Sequence, residues 1–463
     1  MSAGLERRFE RYCEPIIEAL AHADRRQPAQ WYLKGLMLSG ERKSVEPMAA
    51  RVQPQNVRSA HQSMHHLVAD AAWSDQAVLA AVSRQVVPKL LKPDEQCWWI
   101  LDDTGHAKKG RHSVGVARQY CGRLGKTENC QVAVSLTLAT AEGSVPLAYR
   151  LYLPQEWTRD KKRCQGAGVP KAVGFATKGQ IAWAQIEAAL AAGIPRGTVL
   201  MDAGYGDETA MRDRLSAQQL SYAVGVRPGT TVWWGEHQPA AAAGRKHRRG
   251  GRPRTRVQRD ARHQPISVLD LARTLPAASW HTVEWREGTQ APLASRFARV
   301  RVRAAHGDRP RAEEWLLIEW PKGEAEPTHY FLSNLPETVS LEDLVATAKM
   351  RWRIERDYLE LKQELGLGHY EGRNWRGFHH HASLCIAAYG FLMLERLAGS
   401  KKNPARLQAP ALPESFRPRG ARPDAAPHPV VDRHRSPSAG ARHRARASAM
   451  PVLRETVSAA SGA

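Results

Sequence analysis

An α/β fold on a mixed sheet, preceded by a helical segment, is predicted by three observations. Apolar residues recur at helical spacing before residue 92, as around 16–20 and 79–87. From Trp98 the pattern changes to short runs rich in Val, Leu and Ile, which then alternate with helical ones. Two of these strand-like runs, ILDD and VLMD, deliver an acid straight after the last apolar residue.

Taken in order, residues 1–92 read as a helical N-terminal domain punctuated by Pro15, Pro28, Pro47 and Pro54. Within it, Asn56-Val57-Arg58-Ser59-Ala60-His61 opens a short amphipathic helix, suited to packing or to DNA-groove insertion. Strands are expected at 98–101, 130–137 and 145–153, then a helix at 178–192, a strand at 198–201, a helix at 207–219 and a strand at 221–226. That βββαβαβ order, with acids ending the first and fourth strands, is the order of an RNase H-like fold, whose central strands bring carboxylates into one cluster. Residues 227–336 read as a β-rich insertion, with strand-like pieces at 297–302 and 315–320 and a basic run at 244–256 expected to be a solvated loop touching phosphate. A helix begins at Ser340, an N-cap followed by Glu342 and Asp343, and is expected to run to 365. A second apolar helix spans 382–397, where Glu395 and Arg396 argue against a membrane span. The catalytic domain is thus placed at 93–398. Residues 399–463 form a basic tail rich in Pro, Arg and Ala, expected to be disordered because it cannot bury enough apolar surface.

Charge narrows the function. The 463 residues carry 68 Lys and Arg against 46 Asp and Glu, a formal net charge of +22, which favours an extended polyanion as partner. Nucleic acid fits; a membrane surface does not, since no signal peptide, lipidation signal or apolar run of spanning length is read. The expectation is a soluble, cytoplasmic, nucleoid-associated protein. The six cysteines form no CxxC pair and no zinc spacing, so they are expected reduced. No GxxxxGK[ST] loop or strand-borne GxGxxG is found, and no nucleotide cofactor is expected.

The candidate chemistry lies in carboxylates. ILDDTGHAKKG offers Asp102 or Asp103, although an Asp pair after a strand also suits a turn. VLMDAGYGD offers Asp202, followed by glycines that would let a ligand approach. RWRIERDYLELK sorts its acids by helix geometry. Glu355 and Lys362 share a face about 10 Å apart along the axis, with Arg351 one turn before Glu355. Glu360 lies about 140° and Asp357 about 160° round from Glu355, on other faces. Three such acids suit a pair of Mg²⁺ ions about 4 Å apart, an arrangement for phosphodiester chemistry. His379, His380 and His381 diverge by about 100° each and cannot converge on one ion. Trp98 and Trp99 read as strand packing; Trp352 and Trp375 are open to a role beside a flipped base.

These residues resemble the DDE transposases of bacterial insertion sequences, in the group whose last acid lies in a Tyr-Arg-Glu-Lys helix pattern. Arg351, Glu355 and Lys362 fit its Arg, Glu and Lys positions, Asp102-Asp103-Thr104 its Asp-x-Thr, and Asp202-Ala203-Gly204-Tyr205 its second-acid stretch. The Tyr position falls on Ala348, a departure from the pattern. The resemblance covers about residues 95–395. It implies a transposase that binds the terminal inverted repeats of its element, cleaves the DNA ends and joins the 3′-hydroxyls to target DNA, as a homodimer on double-stranded DNA. It further implies Asp102, Asp202 and Glu355 as ligands of two Mg²⁺ ions, for which Mn²⁺ can substitute, with Asp103 the alternative first acid. Arg351, Lys362, Lys108, Lys109 and Arg111 would contact DNA phosphates. Two other readings share the same residues: a DNA-binding transposase descendant without catalysis, and an RNase H-like nuclease without strand transfer.

Overall fold

Amphipathic helices come first in the computed structural model, which describes residues 3–238, 263–286, 292–307 and 310–400. The five are α1 (Ala3–Ala19), α2 (Arg26–Met37), α3 (Val45–Val52), α4 (Val57–Ala69) and α5 (Asp75–Leu90). Each turns an apolar face inward; α4, for example, buries Ala60, Met64, Leu67 and Val68 and exposes Arg58, His65 and His66. Their apolar faces join one buried cluster with Trp99 and Leu101 of the sheet and with Leu384, Ile386 and Phe391 of the last helix.

The spine of the sheet is β1 (Trp98–Ala107). It pairs antiparallel along its whole length with β3 (Lys126–Ala139), which is flanked by β2 (Ala117–Cys121) on one half and β4 (Ser144–Leu151) on the other. The chain then passes through α6 (Gln155–Arg159), α7 (Lys161–Gly166) and α8 (Lys178–Ala191) into β5 (Thr198–Met201), which is parallel to β1. After α9 (Ala203–Gly206) and α10 (Thr209–Ala217), β6 (Tyr222–Val226) adds parallel to β5. The core order β4-β3-β1-β5-β6, with β3 antiparallel to β1 and β4 on one side and β5 and β6 parallel on the other, is RNase H-like.

The region after β6 continues this sheet. Here lie β7 (Thr231–Trp233), β8 (Ile266–Ser267), α11 (Val268–Thr274), β9 (His281–Arg286), β10 (Leu293–Ala304), β11 (Glu313–Trp320) and β12 (His329–Ser333). Because β12 pairs antiparallel with β6, the twelve strands form one hydrogen-bonded sheet. The expected contacts of the basic run 244–256 and the disorder of the tail from 401 lie outside the described residues.

Two local expectations need correction, and one strand was not read. The first strand does not end at Leu101: β3 offers partners from Ala139 to Cys130, so β1 carries on through both acids to Ala107, and pairing overrides the poor strand propensity of Asp-Asp-Thr-Gly. The helix from Ser340 is not continuous. It is α12 (Leu341–Lys349), capped by the Ser340 hydroxyl on the Asp343 N–H, then a turn at Met350 and Arg351, α13 (Trp352–Leu359) and a π turn (Glu360–Glu364). No Gly or Pro marks the break, so periodicity ran straight through it. Finally, β2 carried no readable strand signal.

The last helix, α14 (Trp375–Ser400), is longer than expected. Among the described residues it alone is long and apolar enough to cross a membrane, but 72% of its most apolar window is buried inside the fold. Its charges are internal partners: Glu395 receives both Nε and Nη2 of Arg8 at 2.7 Å, and Arg396 meets Glu360 at 2.7 Å.

Candidate active site

Register brings the first two acids together. Strands β1 and β5 pair as Trp98 with Thr198 and Ile100 with Leu200, so two residues further on Asp102 and Asp202 stand level. At that point β5 ends and Asp202 becomes the N-cap of α9, its Oδ1 accepting from the N–H groups of Gly204 (2.9 Å) and Tyr205 (3.3 Å). Gly206 here also serves packing. A Cβ on Gly206 would lie 2.3 Å from the Gly225 carbonyl oxygen, and one on Gly225 would lie 2.9 Å from Ala203 N. The bare backbones let α9 nest on β6 and hold Asp202 against the end of β5.

Alternation along β1 sends its two acids to opposite faces. Asp102 follows Trp98 and Ile100, whose cluster includes Leu344, Val345 and Ile354 of α12 and α13. There its Oδ2 meets Arg351 Nη1 at 2.9 Å, and Arg351 Nη2 lies 3.9 Å from Glu355 Oε1. Asp103 follows Trp99 and Leu101 to the other face, where its Oδ2 accepts from Lys178 Nζ (2.9 Å) and the Tyr205 hydroxyl (3.0 Å). Neither Lys178 nor this use of Tyr205 was found in the sequence, since 75 residues and no pattern separate Lys178 from Asp103.

Burial raises the Asp102 carboxyl from the usual range to about 7, against the pull of Arg351 and helped by the negative charges of Asp202 and Asp103. Glu355 is half-exposed. Its helix neighbours face elsewhere, as the angles required. Asp357 is buried and accepts from Ser144 Oγ (2.6 Å) and the Tyr389 hydroxyl (2.9 Å); burial lifts its pKa to about 6. Glu360 pairs with Arg356 and Arg396.

The cations divide. Lys362, within the π turn, reaches β1 and donates to Thr104 Oγ1 and the Gly105 carbonyl (3.0 Å). Lys108 lies away from the acids in a groove of about 580 Å³, donating to the Tyr370 carbonyl at 2.7 Å, and burial lowers its pKa. Lys109 and Arg111 are exposed on the following loop. The three histidines are structural. His380 stacks on Trp73 at 3.5 Å, His379 accepts the Leu151 N–H and His381 bonds the Tyr32 hydroxyl, and burial depresses all three pKa values. Trp98 and Trp99 are buried, as expected. Trp352 lies between the guanidinium groups of Arg286 (4.1 Å) and Arg353 (5.0 Å), and the Trp375 N–H donates to Ala167 O.

Among the described residues no three or more His, Cys, Asp or Glu side chains converge as a metal cluster. Asp102 and Asp202 nevertheless fit a divalent cation: they are two hard oxygen donors side by side, and their mutual repulsion is what such a cation would relieve.

A sheet of this order, with one acid inside β1 level with another at the end of the neighbouring parallel strand β5, defines a carboxylate-bearing RNase H-like protein. The model of the DDE superfamily endonuclease family matches residues 15–292, and the chain belongs to that family. The match includes Asp102, Asp103 and Asp202 and ends before Glu355. The chain is also similar to the probable transposase for insertion sequence element IS701 of Microchaete diplosiphon, at 30% identity over 191 residues. That alignment covers 40% of this chain and 45% of the relative.

Proposed function

We propose that this protein is a transposase: it binds the terminal inverted repeats of an insertion sequence, cleaves the DNA ends and joins the 3′-hydroxyls to target DNA, working as a homodimer. The observation that carries the reading is the Asp102–Asp202 pair, level between β1 and the end of β5, with Arg351 bonded to Asp102 and 3.9 Å from Glu355. The IS701 relative supports the transposition step.

Asp102 and Asp202 are the residues that would hold a divalent metal, with Glu355 as third ligand once it leaves Arg351. A bound pair of Mg²⁺ ions would lower the pKa of an attacking water or 3′-hydroxyl and stabilise the leaving oxygen. The chain's own groups supply the rest. Arg351, which bonds Asp102 at 2.9 Å, carries the guanidinium that would contact a phosphate beside the scissile bond. Lys362 adds positive charge over β1, and Lys108, Lys109 and Arg111 extend it beyond the strand. Lys178 and Tyr205 hold Asp103, and through it the backbone of Asp102. The exposed face of α4 in the N-terminal helical segment is assigned to end binding.

The test is cleavage and joining of a duplex carrying the DNA that flanks this gene, with Mg²⁺ or Mn²⁺, comparing the unaltered protein with Glu355→Gln. Cleavage and joining that disappear in the variant support the reading. Binding without cutting by the unaltered protein would favour a non-catalytic descendant, and cutting without joining a nuclease.

A further inference from the structure

Some surface cations are neutralised by a carboxylate: Arg8 by Glu395, Lys34 by Glu6, Lys92 by Glu142, Arg273 by Glu326 and Arg311 by Asp213. Three of those on the strap formed by α6 and α7 are not. Arg159, Lys161 and Lys162 are exposed, and among the described residues none has a carboxylate within ion-pair distance. The nearby acids are spent inside the strap. Asp160 caps α7 by accepting from the Arg163 N–H at 2.9 Å, and Glu156 faces Arg163 at 3.8 Å.

The strap is also fixed in place. Arg163 stacks on Trp157 at 3.7 Å and donates to the Arg111 carbonyl at 2.9 Å, while the buried Trp157 donates its indole N–H to Val116 O at 2.8 Å. Through Arg163 the strap is also tied to the loop that carries the exposed Lys109 and Arg111. Three exposed cations within four residues on a fixed base repel one another in the free protein, and an extended polyanion relieves that repulsion while releasing its counterions.

We propose that α6–α7 is a backbone-binding surface for duplex DNA, contacting phosphates through Arg159, Lys161 and Lys162. The assignment rests on the proposed function in taking DNA as the substrate, and it adds a surface that the candidate residues do not include.

The test is the salt dependence of duplex-DNA binding by the full chain, measured by fluorescence anisotropy between about 50 and 200 mM salt. The unaltered protein is compared with the triple variant Arg159→Gln, Lys161→Gln, Lys162→Gln. A control triple variant, Arg84→Gln, Lys89→Gln, Lys322→Gln, removes the same net charge from scattered exposed positions. If each strap cation neutralises one phosphate, the slope of log K against log salt becomes shallower by about 2.7 in the strap variant, so about 40-fold less affinity is lost across that range. The control keeps the original slope. A strap variant with the original slope, or a control that flattens equally, overturns this surface while leaving the DNA enzyme standing. An unaltered chain that binds no duplex DNA overturns both.

Discussion

Asp102→Asn should make the metal-free protein more stable at pH 8 and abolish its cleavage. The folded-state pKa of Asp102 is raised from 3.8 to about 7 by burial and by the neighbouring acids. A carboxyl raised in this way contributes stability that is intact below its unfolded value near 3.8 and lost as pH climbs through about 7. Three units correspond to about 4 kcal/mol, which is an upper bound because Asp202 shares the same repulsion. Asparagine mimics the protonated acid and is indifferent to pH. The variant should therefore match the unaltered protein near pH 4 and gain about 1–4 kcal/mol by pH 8. Thermal unfolding in EDTA at a series of pH values reads this as a rise in Tm of several degrees at the alkaline end. A difference in Tm that is constant with pH, or an asparagine that destabilises at pH 8, would refute the claim that Asp102 is held ionised against its environment.

Two further perturbations follow from the same geometry. Gly206→Ala would drive a Cβ to 2.3 Å from the Gly225 carbonyl and 2.7 Å from Val224 Cβ, so denaturation should show a loss of about 1–3 kcal/mol and cleavage should fall as Asp202 shifts; unchanged cleavage would disconnect that packing from the site. Asp103→Asn keeps the shape beside Lys178 and Tyr205 and should retain measurable cleavage where Asp102→Asn has none; equal loss in both variants would contradict the division of labour between the two faces of β1.

How far the site was legible differs residue by residue. The strand 198–201 followed by Asp202 was readable to the residue, because a short apolar run ending in Asp and Gly marks a strand end, whereas the cap that Asp202 gives α9 was not read. Ser340 was equally plain, as its hydroxyl and first-turn acids are local chemistry. The run through Asp102 and Asp103 was not, because its continuation as a strand depends on β3, which pairs with it from residues 130–139. The break at Met350 and Arg351 was invisible for a similar reason: nothing local interrupts the helical pattern, and Arg351 finds its partner 249 residues away.

Composition and periodicity by themselves determined the helical start, the alternating α/β core, the excess of positive charge and three candidate acids, since each is a property of neighbouring residues. Only tertiary structure decided which acids stand together. Strand register set Asp102 level with Asp202, and the two-residue alternation of β1 sent Asp103 to the opposite face. The turn before α13 then carried Arg351 to Asp102. Those outcomes depend on pairing between segments far apart in sequence, from Asp103 with Val134 to Arg351 249 residues from Asp102, and no local pattern encodes them.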